Sequence, residues 1–559
     1  MNFSPPSKAS SPARQPWISD VWAIALTMIW LVSIRTLLGV PWGWETLPGE
    51  GDLLPGIAFN AGDTWFYLSL VVQYAEGYNG AELIYTTEAH PGLLWIFPLW
   101  LMGITTALTG CPPLFVYNVS GVVGAMAAVF AFRRVTRLIV SSASACDWAT
   151  AIMIIGSGGS WVWHLVHGWS GLPALTGGEF AFLDFLPATT FLAYPYHAIS
   201  GALLASLWWS VTVFEQRSLA GQSVKLQIGL IAGCAMILTF SRPYEPLAFS
   251  AAYGIKMALA WSRRRTDPAV WTSCRNTTAI LAFGLAPGVA WTAFVSTQPI
   301  WSGFAQRALA LGLPRSEWLT GFGFLWLAAA VAAPRLYRLP HLRGLLPLCA
   351  TLLSAGFLLG FGNSGVKLSS GLPLGVTIAA GVGLALVIET INRHVTQQTG
   401  RVVFGLAAAV LVLGTPSLHL NLLAIRLSAT KPVEAELSAL MQWIPPQTGD
   451  RRTTVLTDTN TGLILPGWLG LRVFAGHWGL THNFKTKEAQ IRAAGLDPER
   501  QSPTTGNLRE NLTQLLQEAD VDYVIIDTRC EQALTILPSL HWDVWKANTR
   551  WVALRPTRE

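Results

Sequence analysis

Apolar runs of bilayer length recur along almost the whole chain, and no other feature restricts its fold so strongly. They fall near 18–39, 113–132, 147–163, 191–214, 226–241, 244–261, 277–296, 318–334, 345–361, 369–391 and 402–424. A helix needs roughly 17–25 mostly apolar residues to cross the hydrocarbon core. Lipid offers backbone groups no partner except one another, so the spanning form is helical. Charged residues make up 12% of the 559 positions, against about 25% in a soluble domain. The sequence therefore predicts a polytopic α-helical membrane protein with about eleven transmembrane helices.

Basic residues orient the spans, because loops rich in Lys and Arg stay in the cytoplasm. Lys8 and Arg14 place a polar tail, 1–17, on the cytoplasmic side, and span 1 reads as an uncleaved anchor. Residues 37–132 then contain no Lys or Arg but seven acids: Glu45, Glu50, Asp52, Asp63, Glu76, Glu82 and Glu88. "RRVTR" (133–137) follows and belongs to the cytoplasm. If the apolar runs 92–109 and 113–132 both crossed, that cluster would lie outside. Only 113–132 is therefore assigned as a span, and 92–109, with Pro98 and Gly103, as a juxtamembrane or re-entrant helix inside a first outer loop, 40–112. Later basic clusters alternate in step, which puts the C-terminal region outside the cytoplasm.

Past residue 426 the composition changes: 15 basic and 15 acidic residues balance there. The net charge of +6 therefore belongs to residues 1–425, the polar tail and the membrane part (18–425) together, and is no sign of nucleic-acid binding. "TTVLTDT" (453–459) and "VDYVIIDT" (521–528) have the form of buried strands. "NLRENLTQLLQEAD" (507–520) places its leucines on one helical face. Residues 426–559 thus read as a small α/β domain. The six cysteines are scattered singly, without the spacing of a disulfide framework or a zinc site.

Polar groups collect at the outer ends of the spans. Asp63 heads an apolar run, where it can cap a helix or serve as a carboxylate that takes or orients an acceptor proton. Glu88 and His90 either stabilise their loop or bind substrate or a divalent cation. Between 138 and 216, a stretch with no Lys or Arg, Asp184 is a second candidate acid, and His197 opens a span as a packed or substrate-facing residue. Arg242, Arg307 and Lys367 are outer cations able to grip a phosphate or simply to snorkel. Arg242 also has Glu245 within pairing distance in sequence. His477 lies in a polar loop after Gly476, readable as a lid over the membrane cavity or as a turn.

This layout resembles the GT-C superfamily of integral membrane glycosyltransferases of bacterial or archaeal type. The likeness rests on span 1, the acidic outer loop with its Asp, the "HP" before a juxtamembrane helix, the "PYH" span start and a late outer-end cation before "GLPLG". The stretch "LILPGWLGLRVFAGHWGLTHNFKTKEA" is similar to a segment after the last span in bacterial members. The resemblance implies a polyprenyl-phosphate-linked sugar donor and a glycan, lipid or protein acceptor. It also implies inverting transfer of a hexose or pentose at the outer face of the inner or plasma membrane. On that basis Asp63 matches the family's catalytic Asp, Asp184 the second-loop acid and Lys367 a phosphate-binding cation. Glu88 and His90 lie where some members bind a metal. Thr follows Asp63, so the Asp-Glu form of protein O-mannosyltransferases is missing, and so is the WWDYG-type signature of oligosaccharyltransferases. The competing function is a transporter or flippase for a lipid or small anion, since broken apolar segments also line transport paths. No internal repeat supports it.

Overall fold

The computed structural model describes residues 18–37, 61–155, 194–301, 315–361, 369–394, 435–441, 451–477, 480–499 and 507–557, with a few short pieces between them. The first five helices are α1 (Asp20–Leu37), α2 (Ala61–Ala75), α3 (Phe97–Thr109), α4 (Pro113–Ile139) and α5 (Ala143–Ile155). Then come α6 (Pro195–Leu219), α7 (Lys225–Ser241), α8 (Tyr244–Ser262), α9 (Pro268–Thr297), α10 (Arg315–Tyr337), α11 (Leu345–Phe361) and α12 (Pro373–His394). Proline occupies the first turn of α3, α4, α6 and α9. Its fixed φ suits a helix start, where its missing N–H costs nothing. Among the described residues, α4, α6, α9 and α12 are long and apolar enough to cross a membrane, and several shorter helices are equally apolar.

One buried charge cluster fixes the direction of the first helices. Arg133 of α4, fully buried, contacts Asp20 at the start of α1 at 2.9 Å and Asp147 near the start of α5 at 2.9 Å. It also donates to Thr150 Oγ1 at 3.0 Å. The start of α1, the end of α4 and the start of α5 therefore share one end of the bundle. The sequence ended this span at 132, before "RRVTR"; α4 instead continues to Ile139, because Arg133 is neutralised inside the bundle and does not need water. Similarly, α9 starts at Pro268 rather than 277, its first turn capped by Asp267, whose carboxylate accepts from the Val270 amide at 3.3 Å.

α4 and α6 run side by side in the same direction. A Cβ at Gly121 would strike Pro195 near one end, and Gln216 donates to the Leu138 carbonyl at 3.1 Å near the other. Between α6 and α8 lies a buried ion pair, Lys256 Nζ to Glu215 Oε2 at 2.6 Å, joined by the Tyr253 hydroxyl. The free carbonyls and charges of the bundle thus find partners inside it, as an apolar surround requires.

α2 and α3 stand apart from this pattern. α3, at 13 residues, is roughly 20 Å long, short of the ~30 Å hydrocarbon core. It packs on α2, with the Tyr74 hydroxyl donating to the Leu94 carbonyl at 2.9 Å. The Phe97 amide donates to Ser241 Oγ at 3.0 Å. That contact ties the start of α3 to the end of α7, opposite the Arg133 cluster.

The C-terminal part contains a five-stranded sheet in the order β4-β3-β5-β7-β6 and a separate pair, β1 (Gln447–Thr448) and β2 (Arg451–Arg452). β3 (Thr454–Leu456), β4 (Arg472–Val473) and β5 (Tyr523–Asp527) are parallel, while β6 (Trp542–Ala547) and β7 (Trp551–Pro556) are antiparallel. β3, β5 and the helix Leu508–Ala519 coincide with the runs read from the sequence. Two glycines let this part sit closely. Gly467 of the helix Thr459–Leu469 lies against the Trp65 backbone of α2, and any Cβ there would clash. Gly470 has φ 68°, left-handed geometry that ends that helix.

Candidate active site

Asp63 lies in the first turn of α2, as a helix start favours for an acid. Its carboxylate is about one-third exposed. His477 Nε2 lies 3.2 Å from Oδ1, and the Tyr194 hydroxyl donates to Oδ2 at 3.3 Å. Three remote segments meet on this one group: α2, the residue before α6, and the loop after β4. Aromatic rings line the junction. Tyr67 lies 6.0 Å from Tyr194 and 4.3 Å from Tyr196, centroid to centroid, and Tyr85 lies 5.9 Å from His477. Burial, and after it the Asp63 charge, pushes the Tyr85 phenol well above its usual value, so it is a neutral donor at any ordinary pH. Its hydroxyl donates to the Leu463 carbonyl at 3.0 Å.

The other candidates fall into place differently. His197 is buried, with its ring 4.2 Å from that of Tyr196 and 4.8 Å from that of Tyr194. It belongs to the wall behind Asp63. Arg242 is also buried and pairs with Glu245 at 2.9 Å, while its Nε donates to the Tyr244 hydroxyl at 3.1 Å. Its guanidinium lies 5.8 Å from the Tyr196 ring, so the aromatic layer separates it from Asp63. Asp184, Arg307 and Lys367 lie outside the described residues.

Glu88 and His90, which the resemblance placed at a possible metal site, are both engaged by other groups of the protein. Glu88 pairs with Lys487 at 2.8 Å and accepts from the Thr86 hydroxyl. Burial would raise its carboxyl, but the bonds from Lys487 and Thr86 outweigh that and hold it below its usual value. His90 accepts the Leu83 amide on Nε2 at 2.9 Å and donates from Nδ1 to the Glu88 carbonyl at 2.7 Å. Both ring nitrogens are thereby spent on the backbone, and burial keeps the ring neutral by lowering its pKa. Among the described residues no three His, Cys, Asp or Glu side chains gather as a metal would require.

Sequence reasoning missed two kinds of residue here. Tyr194 stands immediately before "PYH" (195–197), where the sequence singles out only the His. The bases Arg452, Arg472 and Lys487 lay within an evenly charged region and gave no local signal.

No family model matches this chain, and no curated protein matches it. Solved structures do. The oligosaccharyltransferase of Archaeoglobus fulgidus, tethered with an acceptor peptide containing the NVT sequon, aligns with TM-score 0.52 at 12% identity, over 97% of this chain and 75% of its own. Its AglB complex with an inhibitory peptide and a dolichol-phosphate aligns with TM-score 0.51 at 11% identity, over 92% and 70%. ArnT from Cupriavidus metallidurans bound to undecaprenyl phosphate gives TM-score 0.47 at 13% identity, over 96% and 98%. At such identities a likeness carries the architecture and leaves the chemistry to be argued from the site. Helices apolar enough for a bilayer, a short α2–α3 pair at one end of the bundle, and a C-terminal part seated on that pair are the architecture this chain shares with the Archaeoglobus fulgidus oligosaccharyltransferase.

Proposed function

We propose that this chain is a membrane glycosyltransferase that moves a sugar from a polyprenyl-phosphate donor to an acceptor at the outer membrane face, with Asp63 as the base. The observation that carries the reading is the setting of Asp63: a part-exposed carboxylate gripped by His477 and Tyr194 where the apolar bundle meets the C-terminal part. Such a place admits a lipid-borne donor from one side and a polar acceptor from the other.

The step needs little beyond proton removal. The acceptor hydroxyl gives its proton to Asp63 while its oxygen bonds to the anomeric carbon from the face opposite the leaving group. The bond from that carbon to the phosphate oxygen breaks, and its electron pair leaves on the lipid phosphate. Inversion follows from that single displacement. The transferred unit is a hexose or pentose. The outer cations Lys367 and Arg307 are proposed to meet the phosphate, with Arg242 supporting the wall behind, and Asp184 to be the second-loop acid.

The topology goes with this reading. Contacts run α12 from the Asp63 end, where Gly371 meets Glu245, toward the Arg133 end, where Gly381 meets Ala149. The C-terminal part is back at Asp63. Residues 402–424 lie almost wholly outside the described ones; a last crossing there, the eleventh, is proposed, with the N-terminus cytoplasmic and 426–559 outside. The test is sugar transfer from a panel of polyprenyl-phosphate sugars by wild type and Asp63→Asn. Loss of the base is expected to lower the rate by about 10²–10⁴-fold. An unchanged rate in the variant overturns the assignment, and lipid translocation in vesicles without turnover supports a transporter instead.

A further inference from the structure

Four acids lie between 61 and 90, and each meets a basic group of the C-terminal part. Glu76 meets Arg452 at 2.5 Å, Glu82 meets Arg472, Glu88 meets Lys487 at 2.8 Å, and Asp63 meets His477 at 3.2 Å. The first three contacts run along the loop and hold the C-terminal part in one register. Backbone bonding adds to them: the Val473 amide donates to the Ile84 carbonyl at 2.9 Å. The fourth contact is different, because Asp63 carries the proposed chemistry.

The loop presenting His477 is built to hold it still. The Gly476 amide donates to Thr481 Oγ1 at 3.1 Å, and that hydroxyl donates to the Tyr85 carbonyl at 2.9 Å. The Leu480 and Thr481 amides both donate to the His477 carbonyl. The imidazole is itself almost fully buried, against Tyr85. A fixed donor on Oδ1 and the Tyr194 hydroxyl on Oδ2 leave the carboxylate little rotational freedom.

We propose that His477 is a positioning residue for Asp63, through which the C-terminal part completes the active site of the membrane part. This rests on the proposed role of Asp63. Nε2–H donates to Oδ1 and fixes the plane of the carboxylate that receives the acceptor proton. The groups around this pair are Tyr85 from the loop and Tyr194 before α6, and Asp63 is the acid among them.

The experiment compares wild type, Asp63→Asn, His477→Ala and His477→Gln, using whichever polyprenyl-phosphate sugar the wild type turns over. His477→Ala is expected to lose about 10- to 100-fold in kcat, the worth of one hydrogen bond to a charged group, with donor KM little changed. His477→Gln keeps an N–H donor of similar reach and is expected to recover most of that loss. Thermal unfolding in detergent separates these effects from misfolding, and His477→Gln serves if His477→Ala fails to fold. An inactive Asp63→Asn beside a fully active His477→Ala overturns the inference alone. So does a folded His477→Gln that is as slow as His477→Ala. A fully active Asp63→Asn overturns the function beneath it, and the role of His477 with it.

Discussion

Removing Arg452 is the sharpest test of how the two parts of this chain are joined. Its guanidinium is buried, with NH1 donating to the Gly470 carbonyl at 2.7 Å, NH2 to Glu76 at 2.5 Å, and the group lying 4.6 Å from the Tyr78 ring. Consider Arg452→Met, which keeps the length of the stem. Breaking a buried pair costs about 3–5 kcal/mol when the stranded charge stays dry. Glu76 is 27% exposed and can take up water, which lowers that figure. The Gly470 carbonyl loses a donor, about 1–3 kcal/mol, and the ring contact is worth about 0.5–2 kcal/mol. These overlap, so a total near 2–4 kcal/mol is expected for local opening of the interface. The assay is hydrogen exchange at Val473, whose amide bonds across the interface to Ile84. At about 1.4 kcal/mol per tenfold, its protection is expected to fall by roughly 30- to several-hundred-fold, while β5 amides in the middle of the sheet change little. Protection at Val473 within threefold of wild type refutes the clamp.

Other outcomes follow from the same structure. The bonds from Lys487 and Thr86 hold the Glu88 carboxyl below its usual value, so its pairing stabilises the fold above that value and the benefit is lost as pH falls through the lowered one. Thermal unfolding of wild type and Glu88→Gln is therefore expected to differ at neutral pH and to converge in acid; a constant gap contradicts this. Arg133→Met strands Asp147, which is fully buried, and is expected to cost about 3–5 kcal/mol. Adding Asp147→Asn restores part of that in the same unfolding measurement, and equal loss with and without it speaks against the pair.

Much of the architecture was legible because bilayer physics writes it into composition and period. Reading the apolar runs needed no long-range information: α4, α6, α9 and α12 are apolar and of spanning length, and α3, at 13 residues, is as short as the reading of 92–109 expects. Asp63 was legible too, as an acid at a helix head in a base-free stretch. What faces it was not. His477 is 414 residues away and Arg452 is 376 residues from Glu76, and no local pattern links such pairs. Asp63, Glu76, Glu82 and Glu88 looked like a sign of compartment; their carboxylates are docking points. Glu88 and His90 drew a metal reading because residue type alone cannot show that a carboxylate has met a lysine or that an imidazole has met two backbone groups. "RRVTR" was taken as purely topological, although Arg133 also binds three helices together.

The separation of Glu76 from Arg452 has a consequence for how the molecule comes into being. At about 5–20 residues per second of synthesis, the 376 residues between them take roughly 20–75 s to make. Throughout that interval the acidic residues have been made and their partners do not yet exist. A loop bearing lysines of its own could fold back on its acids and trap itself; one bearing only like charges stays open and hydrated until the last part of the chain arrives. The missing bases between 37 and 132 thus keep a docking surface vacant for distant partners, and the contacts on Asp63 and Glu76 form only after the C-terminal part has been made.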